Sequence, residues 1–310
     1  MQLNLADLFG NDSNTPSAVA VGAFDGVHRG HQLLLRTAVK YAREHGCVPA
    51  AVTFDPLPLE FLTKKSTDQR ILLPDEQLAM IKAQGIERVV VLPFNDALMN
   101  TTPEEFVSVM AEKLHPRCLF MGTDFTLGRG RSGTPEVLAE LGKRYGFDVD
   151  VLDKFECDGD VVSATRIRGL LREGKVEEAE RLLGYPYFFS GVVEHGEARG
   201  RTLGFPTLNI RIPEEKIHLP HGVYAAYSTV DGVRYPAVAD VGIRPTFGDL
   251  TSAIAEVHLL HTDGDFYDKT VKTEFVAHLR AEQRFDSIDA LVAQIRKDAG
   301  DAEKVLVNSQ

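Results

Sequence analysis

His28 and His31 stand three residues apart in the run Gly22-Ala23-Phe24-Asp25-Gly26-Val27-His28-Arg29-Gly30-His31. Imidazole offers N–H donors to an anion in either protonation state. An i, i+3 spacing places both rings on one face of a helix that starts here. Gly22, Gly26 and Gly30 let the backbone approach a ligand closely. With Phe24 and Asp25 the run forms a candidate phosphate or ATP loop. Glycines at such a turn can also serve the turn alone.

A second constellation lies in Gly196-Glu197-Ala198-Arg199-Gly200-Arg201-Thr202-Leu203-Gly204-Phe205-Pro206-Thr207-Leu208-Asn209. Gly200, Arg201 and Gly204 suit a loop wrapped round a phosphate chain. Thr207 and Asn209 alternate, so on a strand both point to one face. A hydroxyl and an amide oxygen there suit Mg²⁺, which takes oxygen ligands and keeps substrate phosphates. Further on, Glu256 and His258 share the face opposite Val257 and Leu259. A carboxylate so placed can take a proton from a substrate hydroxyl. Taken alone, Glu256 reads rather as a solvated strand charge. Ser163, Thr165 and Arg166 sit at a helix start. There the hydroxyls cap N–H groups and the arginine neutralises phosphate. Alone they read as an ordinary cap. Gly128-Arg129-Gly130-Arg131-Ser132-Gly133 reads as a flexible basic loop able to close over a nucleotide.

These residues need elements to hold them. In the first half, strands are predicted at Ala18–Val21, Val48–Phe54, Arg88–Leu92, Arg117–Met121 and Asp148–Leu152. Helices are predicted between them at Gly30–His45, Pro74–Gln84, Pro103–Leu114 and Pro135–Tyr145. Such alternation predicts an α/β, Rossmann-like parallel sheet with helices on both faces. Ligands of these sheets gather beyond the C-terminal strand ends. The two-histidine loop, Thr53-Phe54-Asp55-Pro56 and Gly122-Thr123-Asp124-Phe125 all fall at such ends. Short helices follow at Ala164–Arg172 and Val176–Leu183. From residue 186, β-type segments dominate, at Tyr187–Val193, Thr207–Ile212, Tyr224–Val230, Val233–Val241, Ile254–Leu260 and Thr270–Phe275. Asp231-Gly232 marks a two-residue hairpin. An antiparallel β-barrel is expected. A closing helix is expected over Ser287–Lys297, with Ile288, Leu291, Val292 and Ile295 on its packed face.

At 310 residues the chain exceeds what one core usually holds, so two domains, 1–185 and 186–310, are expected. A net charge of −11 argues against a broad basic face for nucleic acid or anionic membrane, though not against an anionic small ligand. Cys47, Cys118 and Cys157 have neither paired nor metal-ligand spacing, which predicts a reducing, cytoplasmic setting. The start lacks a basic and then apolar leader pattern, and no run reaches membrane-spanning length.

The motifs at 22–31, 53–56, 122–125 and Ser163-Ala164-Thr165-Arg166-Ile167-Arg168 resemble the adenylyltransferase half of prokaryotic bifunctional riboflavin kinase/FAD synthetases. Those at 200–209, 219–224, 242–247 and 256–260 resemble the riboflavin kinase half. The resemblance covers nearly the whole chain, in order. It implies that riboflavin and ATP give FMN in the barrel, and that FMN and ATP give FAD and pyrophosphate in the first domain. It implies Mg²⁺ with ATP as co-substrate. Thr207 and Asn209 would be the Mg²⁺–ATP contacts, and Glu256 the base at the riboflavin 5′-hydroxyl. His28 and His31 would contact the reacting phosphates, with Ser163, Thr165 and Arg166 at the triphosphate. Phe54, Pro56, Asp124, Phe125 and Arg280 would contact flavin. Riboflavin, FMN and ATP are the implied partners; oligomeric state is left open. The chain departs from the family's common residues at Ala23, Leu57, Ala164, Asp240 and Asp268. Two alternatives remain: a riboflavin kinase with a weakened adenylyltransferase domain, and a flavin or nucleotide sensor without turnover.

Overall fold

Buried, β-branched-rich segments make the centre of the first unit. β1 (Ser17–Val21) is buried at every residue. It lies between β2 (Val48–Asp55) and β4 (Pro116–Gly122), parallel to both. β3 (Arg88–Pro93) and β5 (Asp148–Leu152) complete a parallel sheet of order β3-β2-β1-β4-β5. Strands covered on both faces need continuous apolar runs, which is how β1 and β2 read. The order reverses beside β1. Ligand crevices open at such a switch point, beyond the strand ends. The computed structural model describes residues 7, 9, 14–63, 70–195, 203–245, 251–262 and 264–308.

α1 (Arg29–His45) lays Leu34, Leu35, Ala38, Val39 and Ala42 against the sheet and stops at Gly46, whose φ of 62° suits glycine. Burying Leu34 and Leu35 contributes about 1.5–3 kcal/mol each. α2 (Pro58–Thr63), α3 (Pro74–Ala83), α4 (Asp96–Asn100), α5 (Pro103–Leu114) and α6 (Pro135–Tyr145) follow in chain order. The two shortest, α2 and α4, carried no periodic signal. A small hairpin, β6 (Glu156–Cys157) with β7 (Asp160–Val161), also went unpredicted. Its Asp158-Gly159 turn, with φ of 55° and 82°, is the same signal that marks the Asp231-Gly232 hairpin.

By contacts the chain divides into Met1–Ser66 with Leu72–Ala164, and Thr67–Ile71 with Thr165–Gln310. Arg70 explains the short exchanged segment. Its backbone pairs with Glu215 and Ile217 of the second unit. α7 (Ala164–Arg172) buries Ile167 and Leu171, and α8 (Val176–Leu183) packs on strands of the barrel.

The second unit is a closed antiparallel barrel of order β10-β11-β12-β9-β8-β13. Its strands are β8 (Tyr187–Glu194), β9 (Leu208–Arg211), β10 (Gly222–Val230), β11 (Val233–Pro245), β12 (Thr251–Leu259) and β13 (Thr270–Ala281). Ala237, Ala239, Val241, Ala255, Val257 and Ile210 point into the core, leaving alternate residues on the outer face. β11 and β13 run past their predicted ends because each pairs on both sides.

The closing helix, α9, runs Ile288–Asn308, well beyond the expected Lys297. Of the expected face, Leu291, Val292 and Ile295 are half-buried and Ile288 is 66% exposed. The deepest contacts come later, where Ala302 and Leu306 are buried against Ala225, Tyr227, Val276 and Ala277. Tyr227 donates from its hydroxyl to the Leu306 carbonyl at 2.9 Å. The charged stretch after Lys297 masked this stripe in the sequence.

Candidate active sites

The loop leaving β1 is held by buried polar side chains. Gly22 N–H donates to the Val52 carbonyl at 3.1 Å. Ala23 carbonyl accepts from Gln77 Nε2 at 2.6 Å and from Thr53 Oγ1 at 3.2 Å. Gln77 Nε2 also reaches Thr53 Oγ1 at 3.3 Å, and Gln32 Nε2 donates to the Val27 carbonyl at 2.9 Å. These three side chains are buried; sequence reasoning named Thr53 only as part of its motif and did not single out Gln77 or Gln32. They brace a backbone with left-handed φ at Phe24 (50°), Gly26 (73°) and Val27 (33°). A β-branched residue pays for that conformation, so the bracing matters.

His28 caps α1. Its Nδ1 accepts from the His31 backbone N–H at 3.4 Å, so in the neutral ring the proton sits on Nε2. The two imidazoles stack, with centroids 3.6 Å apart and 17° between planes. The Phe24 ring meets His31 edge-on at 5.3 Å. His31 Nδ1 is buried and has no hydrogen-bond partner among the described residues. Burial, and then the neighbouring His28, hold the His31 pKa well below its usual value. His31 is therefore a neutral group with an unsatisfied polar atom, at the positive end of a helix. A Cβ on Gly30 would sit 3.3 Å from both the His28 ring and Phe155 Cβ, so a larger residue there would press on this stack.

The other strand-end residues of this unit differ in what they offer. Asp124, beyond β4, is exposed and pairs with Lys154 Nζ at 2.8 Å. Phe125 is half-buried against the core. Pro56 is exposed at the end of β2. The rings of Phe24 and Phe54 are buried, the latter edge-on to Phe94 at 5.8 Å. Both support their loops from beneath and present no open ring face. Leu57 is buried, with its N–H donating to Glu60 Oε2 at 2.9 Å.

The basic loop at 128–133 is pinned, contrary to the expectation of flexibility. Arg129 N–H donates to the Thr101 carbonyl at 2.9 Å, and Leu127 and Gly133 exchange backbone bonds. Arg131 Nε reaches Thr126 Oγ1 at 2.9 Å. Two arginines flanking a glycine turn gain these bonds only once the turn closes on its neighbours. Ser163 immediately precedes α7, while Thr165 and Arg166 lie in its first turn, within the second unit.

On the barrel, ladder register assembles the second site. Asp240 faces Glu256, Glu256 faces Asn209, and Asn209 also faces Glu194. Directly opposed residues share a face. Asp240, Glu256 and Asn209 therefore form one row on the outer face. Asn209 is 6% exposed, and its Oδ1 is buried with no partner among the described residues. A buried carbonyl-type oxygen without a donor fits a hard cation. Thr207 stands just ahead of β9 rather than within it. His258 Nδ1 donates to the Pro206 carbonyl at 2.8 Å, tying the Phe205-Pro206-Thr207 segment to β12. Gly204 has φ of 84° at the turn into that segment. Gly200 and Arg201 lie outside the described residues.

Arg280, expected at the flavin, is committed to α9. Its Nε and Nη2 grip Asp298 at 2.8–3.0 Å, and Nη1 donates to the Ala281 carbonyl at 3.1 Å. Asp240 is open to solvent on one side and crowded on the others. Desolvation, and then the Glu256 charge, push its pKa up to about 6. Among the described residues no group of three His, Cys, Asp or Glu could hold a metal by itself.

Comparison with known proteins covers both units. A family model described as FAD synthetase matches residues 10–166, and one described as riboflavin kinase matches residues 183–306. A protein of Pseudomonas fluorescens named bifunctional riboflavin kinase/FMN adenylyltransferase is 38% identical over 290 residues, covering 93% of each chain. Proteins of the same name from Bacillus subtilis and Escherichia coli K12 are 33% and 35% identical, covering 95% and 90% of their lengths. A crystal structure described as a macrolide-efflux protein from Streptococcus pneumoniae superposes with a TM-score of 0.87 at 32% identity, covering 95% of this chain and 96% of that one. No described helix of the present chain is long and apolar enough to cross a membrane.

Proposed function

The chain belongs to the bifunctional riboflavin kinase/FMN adenylyltransferase family, and from its residues we propose how each half does its work. It phosphorylates riboflavin to FMN with ATP, and it adenylylates FMN to FAD with release of pyrophosphate. The carrying observation is that the two family models match in order, one over residues 10–166 and the other over residues 183–306.

The kinase reaction belongs to 186–310. Glu256 takes the proton of the riboflavin 5′-hydroxyl as its oxygen attacks the γ-phosphorus and ADP leaves. Thr207 and Asn209 hold Mg²⁺ with the ATP phosphates; the unpartnered Asn209 oxygen supports that assignment. When bound, the ion neutralises charge on the transferring phosphoryl group. His258 positions Thr207 through the Pro206 carbonyl. Gly200, Arg201 and Gly204 belong to the loop over the phosphates.

The adenylyl transfer belongs to 1–185. The FMN phosphate oxygen attacks the α-phosphorus of ATP and pyrophosphate leaves in line. The chemistry needs positioning and charge stabilisation rather than a covalent enzyme intermediate. His28 and His31 offer neutral N–H donors at the α1 N-terminus, with Gly22, Asp25 and Gly30 shaping the loop. Neutral donors suit an anion here, because a charged His31 would have to be desolvated first. Ser163, Thr165 and Arg166 take the outgoing pyrophosphate, and Pro56, Asp124 and Phe125 the flavin. The setting is cytoplasmic, in keeping with Cys47, Cys118 and Cys157 forming no disulfide.

Purified protein with riboflavin, ATP and Mg²⁺ should yield FMN and then FAD on chromatography; neither product appearing would sink the reading. Glu256→Gln should abolish FMN formation and spare FAD formation from added FMN. His28→Ala with His31→Ala should do the reverse. Equal loss of both activities in either variant contradicts two separate sites.

A further inference from the structure

Asp124 stands two residues beyond β4, and Lys154 two residues beyond β5. Both lie at the strand ends where ligands of such sheets gather. Thr123 N–H donates to the Leu152 carbonyl at 3.2 Å, which joins the two exits. Lys154 Nζ then meets Asp124 Oδ2 at 2.8 Å. The next residue, Phe155, borders the two-histidine loop, since its Cβ and the His28 ring crowd the same side of Gly30. Its carbonyl accepts from Val162 N–H at 2.9 Å, at the base of the β6–β7 hairpin. The lysine backbone is therefore held on either side, and its side chain alone can swing. Sequence reasoning did not single out Lys154, because a lysine after a strand reads as an ordinary solvated charge.

We propose that Lys154 is a binding residue of the adenylyl-transfer site, presented by Asp124 to a phosphate group of the anionic substrates. The inference rests on the adenylyltransferase reading of the first unit. An ammonium carries three donors, and Asp124 takes one of them. The others suit phosphate oxygens, which make strong charge-assisted hydrogen bonds. The pair keeps solvent on both sides, with Lys154 49% and Asp124 75% exposed, so it holds weakly and yields to a stronger anion. The pairing also masks Asp124, whose bare carboxylate would repel FMN and ATP. His31 cannot supply the missing charge, because burial keeps its ring neutral. Lys154 brings a full positive charge to the edge of a loop whose histidines offer hydrogen bonds.

The experiment measures FAD formation from added FMN by the parent, Lys154→Gln, Lys154→Arg, Asp124→Asn and the double variant Asp124→Asn with Lys154→Gln. The KM values for FMN and for ATP are taken separately. Lys154→Gln should raise one of them several-fold. A rise for FMN assigns the ammonium to the flavin phosphate, and a rise for ATP assigns it to the nucleotide. Lys154→Arg keeps the charge and should restore most of the loss. The rise should shrink between about 0.05 and about 0.3 M salt, because exposed charges are screened. It should persist in the Asp124→Asn background. An effect that vanishes there, or that ignores salt, overturns the proposal, since Lys154 would then only prop Asp124. A loss confined to kcat overturns it as well. If the parent makes no FAD from FMN, the adenylyltransferase reading falls and this proposal with it. If the parent makes FAD and Lys154→Gln matches it in both KM values, this proposal alone falls.

Discussion

The His28 and His31 imidazoles stack 3.6 Å apart, and His28 Nδ1 accepts the His31 backbone N–H. One ring thus caps the helix while the other is shut away with its Nδ1 unsatisfied. Burial, and then the neighbouring His28, disfavour charge on His31.

The pH consequence has a definite sign. In the unfolded chain His31 binds a proton below about 6.5. In the folded chain its pKa is depressed, so the unfolded state binds more protons in mild acid. The stability that His31 confers is complete above about 6.5 and is lost as pH falls below it. His31→Asn should remove that loss. In urea unfolding, the midpoint advantage of the parent over the variant should shrink from pH 7.5 to 5.5. A constant difference would mean that the fold does not lower the His31 pKa.

Gln77 should matter to one reaction only. Gln77→Leu takes the 2.6 Å donor from the Ala23 carbonyl and leaves Thr53 with one partner fewer. An unsatisfied buried group costs about 1–3 kcal/mol. Adenylyl transfer should fall on the order of tenfold, since about 1.4 kcal/mol is a factor of ten in rate. The fall should lie in kcat, because the loop rather than the substrate contact is loosened. FMN formation should be unchanged. An equal fall in both activities would make Gln77 a general stability residue.

For Asn209, the measurement is the Mg²⁺ concentration giving half-maximal FMN formation. Asn209→Leu keeps the size of the side chain and removes the oxygen, so this concentration should rise several-fold. The Mg²⁺ requirement of FAD formation should not move. An unchanged kinase requirement would take Asn209 out of the ion's shell and leave its buried oxygen unexplained.

Arg280 and Asp298 tie the last helix to the barrel, with Asp298 buried. Removing one member of a buried pair strands the other, at about 3–5 kcal/mol. Arg280 retains some solvent contact, so Asp298→Ala should cost about 3 kcal/mol, the low end of that range. Urea unfolding of the parent and variant would read it. A change under about 0.5 kcal/mol would place the pair among surface ion pairs instead.

What the residue order determined by itself was the local part. Strand-helix alternation and a glycine-rich turn put His28 and His31 where a strand feeds a helix. Period-two alternation put Glu256 and His258 opposite Val257 and Leu259. These follow from backbone geometry within a few residues, which sequence carries directly. Tertiary structure decided the pairings. Glu256 meets Asn209 and Asp240 only because ladder register aligns three strands. Gln77 meets Ala23 only because α3 packs beside the β1 loop. Arg280 looked free for a ligand until α9 proved long enough to bring Asp298 to it. Hydrogen bonds and repulsions between residues far apart in the chain depend on which surfaces pack together. Burial then sets their strength, by removing the water that would otherwise screen them.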